Sequence, residues 1–153
     1  MQYRRLPRFA SVLLLGVLLS ASAPASPISL APRITVFKDP NCGCCRNWIA
    51  HLRQHGFDVV VKDTSDVTAA KRAGRVPEKL RSCHTAFVNG YVIEGHVPAA
   101  DIQRLLRDQP RVMGLAVPGM PAGSPGMEMG NRAERYDVIA YERGGSTRVF
   151  ARH

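Results

Sequence analysis

The sequence contains no apolar run long enough to cross a bilayer comfortably. Its N-terminal candidate, FASVLLLGVLLSASA after the basic start MQYRRLPR, is too short and gives way to small residues. Acids are scarce, 12 against 21 lysines and arginines, so the formal charge is +9. Aromatic residues are also scarce, at 7%, and no basic stripe is interleaved with them. A nucleic-acid partner is therefore not expected. The sequence shows neither an internal repeat nor a second domain. Cysteine is limited to four residues in a chain of 153, which is long enough to bury a core without depending on disulfides.

The basic start, the short apolar run and the small residues Ala23-Pro24-Ala25 form the pattern of a secretory signal peptide over residues 1–25. Loss of Arg4, Arg5 and Arg8 with it lowers the formal charge from +9 to +6. The expected destination is the periplasm, with no stable membrane insertion after cleavage. Residues 26–33 read as a Pro/Ser linker, and residues 34–153 as one domain.

Within that domain, ITVF (34–37) and FDVVV (57–61) read as strands. Between them a helix is expected from about Cys45 to His55, with Trp48, Ile49 and Leu52 as its apolar stripe and Gly56 past its end. TSDVTAAKRAG reads as a second helix, capped by Ser65 or Thr64 and closed by Gly74. TAFVNGYVIEG is a hairpin turning at Asn89-Gly90. The last helix starts near Pro98, faces Ile102, Leu105 and Leu106 inward, and ends at Pro110. GLAVPGMPAGSPGMEMGNRAER has no period and reads as a long loop, and a second hairpin turns at Gly144-Gly145. The order β-α-β-α-β-β-α predicts an α/β, thioredoxin-like fold. A central mixed sheet is flanked by helices, with an added C-terminal Met/Gly/Pro loop and β-hairpin.

The cysteines are distributed unevenly. DPNCGCCRNW places Cys42, Cys44 and Cys45 within four positions, and Cys83 stands far downstream. Cys42 and Cys45 have C-x-x-C spacing at a strand-to-helix turn, where helix N–H groups and the dipole stabilise a thiolate. They are the redox candidates, and a structural disulfide between them is the plain alternative. Cys44 has no role in an ordinary redoxin. The segment SCHTAFVNG resembles the glutaredoxin hairpin, in which a cis-proline faces the cysteine pair; His84 takes the proline's place and Cys83 precedes it. That register brings Cys83 beside the C-x-C-C turn. Four thiolates are soft ligands that select Cu(I), Zn or Fe–S. Their crowding suits several bridged Cu(I) ions better than a zinc site built of two spaced pairs.

DPNCGCCRNW, RSCHTAFVNGYVIEGHVPAADI and GLAVPGMPAGSPGMEMG together closely resemble the CopG-type periplasmic copper-resistance proteins, thioredoxin-like metal-binding proteins often described as a family of unknown function. The resemblance spans about residues 33–152. It implies copper handling in the cell envelope, with Cys42, Cys44, Cys45 and Cys83 as ligands and copper, as Cu(I), as the bound metal. His84, Met120, Met127 and Met129 are weaker candidates, since thioethers also suit Cu(I). Copper ions and other envelope copper-handling proteins are the expected partners. A thiol–disulfide oxidoreductase acting on envelope proteins is the alternative, so enzymatic activity on copper or on thiols stays open. His51 and His55, one helical turn apart, are a metal pair or solvated residues that complement the helix dipole. His96 is a candidate supporting group, Met113 a core residue and His153 a mobile end.

Overall fold

The computed structural model describes residues 31–128, 130 and 132–153. The expected signal peptide, the linker up to residue 30 and Met129 lie outside the described residues. Among the described residues no helix is long and apolar enough to cross a membrane.

The described residues form a mixed α/β structure with a seven-stranded sheet and three α-helices. In chain order these are β1 (Arg33–Lys38), α1 (Gly43–Gln54), β2 (Asp58–Asp63), α2 (Val67–Ala73), β3 (Thr85–Val88), β4 (Tyr91–Glu94), α3 (Ala99–Asp108), β5 (Gly114–Ala116), β6 (Asp137–Tyr141) and β7 (Thr147–Arg152). The sheet order is β2-β1-β3-β4-β5-β6-β7. Two pairs are parallel, β1 with β2 and β4 with β5. Each is joined by a helical crossover, as parallel neighbours require.

The β3–β4 hairpin sets the centre of the sheet. Asn89 and Gly90 both have positive φ, +46° and +82°, the signature of a two-residue turn whose twist matches its strands. The pairing that follows runs from Val88↔Tyr91 to Thr85↔Glu94. On one side α1 buries Trp48, Ile49 and Leu52 against Ile34, Val36, Ala86 and Ile93, and α3 adds Ile102 and Leu105. A smaller cluster of Val76, Leu80, Val92, Ala116 and Tyr141 also takes in Met113 at its edge.

Several elements depart from the sequence expectation. α1 starts two residues early, because Cys42 itself caps it by accepting the Cys45 N–H. α2 is capped by Asp66, whose carboxylate accepts the Ala69 N–H, while Thr64 Oγ1 accepts the N–H of Asp66 in the turn before it. The stretch expected to be loop after residue 113 opens with a strand, β5, whose three residues are all buried. The expected mobile His153 is docked. Its backbone exchanges hydrogen bonds with Tyr136, and its Nε2 lies 2.7 Å from Asp101 Oδ2.

Candidate metal centre

The cysteine turn follows β1 and opens α1. Cys45 is fully buried, whereas Cys42 and Cys44 are half-buried. Cys42 and Cys45 are joined in a disulfide, and Cys44 and Cys83 are free thiols. Cys44 Sγ lies 3.4 Å from Cys42 Sγ, and Cys83 Sγ lies 3.5 Å from Cys45 Sγ. The free thiols thus flank the bond from opposite ends. All four sulfurs lie within 4.8 Å of one another, so residues 38 positions apart share one site.

Cys83 belongs to a second group. Its Sγ is 3.2 Å from His84 Nδ1 and 3.1 Å from His96 Nε2, and both imidazoles are fully buried. His96 Nδ1 is 2.8 Å from the carbonyl of Pro125. A carbonyl only accepts, so Nδ1 carries the proton and Nε2 turns a lone pair to Cys83. Burial holds the pKa of both histidines below the usual range. His84 is held well below it, with His96 and Lys71 adding to the effect. Both rings are therefore neutral and able to ligate. Burial, followed by the nearby Cys44, pushes the Cys83 thiol up to about 12, so without a metal Cys83 is protonated. The Trp48 ring packs 4.3 Å from the His84 ring and forms the floor, its indole N–H donated to Val97 O.

An internal ion pair holds this wall. Glu94 is fully buried at the end of β4 and accepts from Lys71 Nζ, the Ser82 N–H and Thr85 Oγ1, each at 2.6 Å. Glu94 thereby fixes the backbone immediately before Cys83. Ser82 Oγ donates to the carbonyl of Gly119, which ties the Cys83 segment to the methionine loop.

That loop packs onto the site. Gly126 has φ +84°, and a Cβ there would meet Trp48 N at 2.7 Å and Cys44 O at 2.8 Å. Only glycine allows so close an approach to the first turn of α1. Met120 Sδ reaches 3.9 Å from Cys44 Sγ and is half exposed to solvent. Met127 is half-buried, with its N–H donated to Ser124 O.

His51 and His55 are occupied elsewhere. His51 Nε2 accepts the N–H of Ala99, the first residue of α3, and His55 Nδ1 donates to His51 O. Burial and then His55 lower the His51 pKa, which keeps that acceptor neutral. A cleft of about 710 Å³ lined by Pro118, Tyr136, Arg152 and His153 includes none of the four cysteines.

His96 is expected from the sequence only as a supporting group, yet its place carries a signal. The Asn89-Gly90 hairpin fixes its cross-strand partners. Two steps beyond Thr85↔Glu94 the same register sets Cys83 opposite His96. Glu94 and Lys71 had no comparable signal, because neither strand alternation nor helix period foretells a buried ion pair.

Fold and site together define a mixed α/β protein with a cysteine cluster able to hold a metal. A family model described as a protein of unknown function, DUF411, matches residues 80–127. Two solved structures are similar over most of the chain. "Copper resistance protein copG- Form 2" is 46% identical with a TM-score of 0.77, covering 80% of this chain and 98% of that one. "Copper resistance protein copG- Form 1" is 48% identical with a TM-score of 0.75, covering 79% and 96%. The chain belongs to the CopG copper resistance family. Among curated proteins nothing matches it.

Proposed function

We propose that this chain is a periplasmic copper-resistance protein. In this reading it is exported by the signal peptide at 1–25 and binds several Cu(I) ions as cargo through Cys42, Cys44, Cys45 and Cys83. The observation that carries the reading is the meeting of four cysteine sulfurs within 4.8 Å. Thiolate is the ligand class that selects Cu(I), and copper resistance is the printed function of the similar structures. The C-x-x-C pair at the start of α1, with β1 and β2 parallel about that helix, supports the thioredoxin-like assignment. Met120 beside Cys44 is proposed to pass copper to or from the thiolates, with Met127 and Met129 sharing that role along the same loop. His84 is proposed as an imidazole ligand at the cluster's inner edge.

The Cys42–Cys45 bond makes loading conditional. A dithiol reductant that supplies two electrons and two protons, and is itself oxidised to a disulfide, opens it to two thiols; until then only Cys44 and Cys83 are free thiols. Anaerobic titration of reduced protein against a Cu(I) chelator should find more than one Cu(I) per chain, bound in preference to Zn(II). The disulfide form should hold less. Single-site binding with zinc preferred would sink the cluster.

A second reading, a thiol–disulfide oxidoreductase acting on envelope proteins, is favoured by one feature: Cys42 is half-buried and bonded to a fully buried Cys45 at a helix N-terminus. Cys44→Ser separates the two readings, since it should spare disulfide exchange and weaken copper loading.

A further inference from the structure

Between α1 and β2 lies a cleft of about 290 Å³, floored by Ile49 and Val61 and edged by Lys38, Asp63, Arg46 and Arg53. It includes none of the cysteines or histidines. We propose that this cleft is a docking surface for an acidic amphipathic helix of a partner protein, which sets carboxylates on Arg46 and Arg53 and one apolar side chain between them.

The charges at the cleft do not balance. Lys38 is buried, and its ammonium is spent on Asp63, 2.6 Å away. That pair leaves no carboxylate for the arginines. Arg46 and Arg53 are both exposed, and their guanidiniums donate only to backbone carbonyls, those of Pro40 and Val59, each at 3.4 Å. Arg33, Arg72 and Arg148, by contrast, each stand beside a carboxylate. Two guanidiniums without counter-charge thus edge an apolar floor. Their complement is a surface that is acidic at two points and apolar between.

The spacing selects a helix as the occupant. Arg46 and Arg53 are two turns apart on α1, a rise of roughly 10 Å, with Ile49 between them on the same face. Their guanidiniums reach opposite ends of the cleft. β1 and β2 pair from Ile34↔Val59 to Lys38↔Asp63, so Val59 marks one end, and Pro40, beyond Lys38, marks the other. A partner helix matches this with acids at i and i+7 and an apolar residue at i+3 or i+4. An extended segment does not, because residues roughly 10 Å apart on a strand are three positions apart and face opposite ways. β2 is the last strand on its side of the sheet, which leaves the approach open. A second copy of this chain is a poor occupant, since it is itself basic, with 21 lysines and arginines against 12 acids. A docked partner sits beside the cysteine turn, to which Pro40 and Arg46 both belong.

The test uses the full chain, metal-free and with the Cys42–Cys45 bond intact, so that the outcome is independent of the copper reading. The probe is an alanine-based helical peptide with two glutamates seven positions apart and a leucine midway, titrated into isotope-labelled protein and followed by amide NMR. Saturable shifts confined to α1 and β2 are expected. Arg46→Ala with Arg53→Ala should weaken binding about 5-fold at low salt, and raised salt should weaken binding to the parent. Arg33→Ala and Arg107→Ala, at exposed arginines elsewhere, should change nothing. Serine in place of the peptide's leucine should weaken binding. Glutamine in place of both glutamates repeats the arginine test from the partner's side, and it decides if the double variant fails to fold. No saturable shift, shifts centred elsewhere, or equal binding of the serine or glutamine peptide overturns the proposal. Equal weakening by Arg33→Ala or Arg107→Ala overturns it as diffuse charge attraction. Concentration-dependent shifts at the cleft without peptide assign it to a second copy. Binding to phosphatidylglycerol vesicles that the arginine variants abolish, with none to the peptide, assigns it to lipid; either result overturns the proposal.

Discussion

Cys42, Cys44 and Cys45 stand at the first turn of a helix, the first two half-buried and the third fully buried, and Cys42 and Cys45 are already joined to each other. Cys83, His84 and His96 instead sit on a wall fixed from behind by the buried Lys71–Glu94 pair. The helix wall can change its covalent state with little change in backbone, because a helix start tolerates thiol, thiolate or disulfide. The inner wall can change little, because Glu94 behind it is held at once by Lys71, the Ser82 N–H and Thr85. One side of the site supplies reactivity and the other supplies fixed geometry. The loading proposed above, conditional on the Cys42–Cys45 bond, would draw on both.

The comparison is broken most completely by removing the residue both groups share. Cys83→Ser should impair Cu(I) loading of reduced protein nearly as much as Cys42→Ser, measured by chelator competition. Unchanged stoichiometry and affinity would mean that the inner wall contributes no ligand. Next in size is the support behind that wall. Glu94→Ala leaves Lys71 buried without its partner and should cost about 3–5 kcal/mol, read from denaturant unfolding. A loss below about 1 kcal/mol would show that water replaces the carboxylate and that the wall is not rigid.

A smaller effect is expected where the loop meets the helix wall. Gly126→Ala forces a side chain at φ +84° into the backbone of Cys44 and Trp48 and should cost about 1–3 kcal/mol. Copper exchange should also quicken as the loop lifts, measured as transfer rate to a chelator. Equal rates in variant and parent would separate the loop from copper access. The smallest effect belongs to Met120→Leu. It conserves volume at a half-exposed position, so stability should change by less than about 1.5 kcal/mol. Slower Cu(I) exchange at unchanged melting would assign the sulfur a role in transfer; no change in either would leave Met120 as cover alone.

Much of this arrangement was legible in the sequence, for identifiable reasons. Asn89-Gly90 dictates its turn, the turn dictates the register of β3 and β4, and that register carries Cys83 toward the C-x-C-C segment. Trp48, Ile49 and Leu52 announce the buried face of α1 by spacing alone. β5 was not legible: three residues buried together give no alternation, and the glycines and prolines after them read as loop. The cap of α2 was misplaced because Thr64, Ser65 and Asp66 are all competent caps, and only the Thr64 turn decides among them. His51 has the spacing of half a metal pair, and its actual partner, the N–H of Ala99, is 48 residues away. The Glu94 contacts depend on three segments arriving together, which no local pattern encodes.

Trp48 is the sole tryptophan of the chain, and its ring lies 4.3 Å from that of His84, fully shielded from water. Its emission therefore arises from one environment, blue-shifted by burial and in contact with the inner wall. A paramagnetic ion arriving beside His84 should quench that emission at short range, whereas an ion on the protein's outer surface should not. The protein thus carries an optical reporter of its own, able to follow metal arrival in real time without any label.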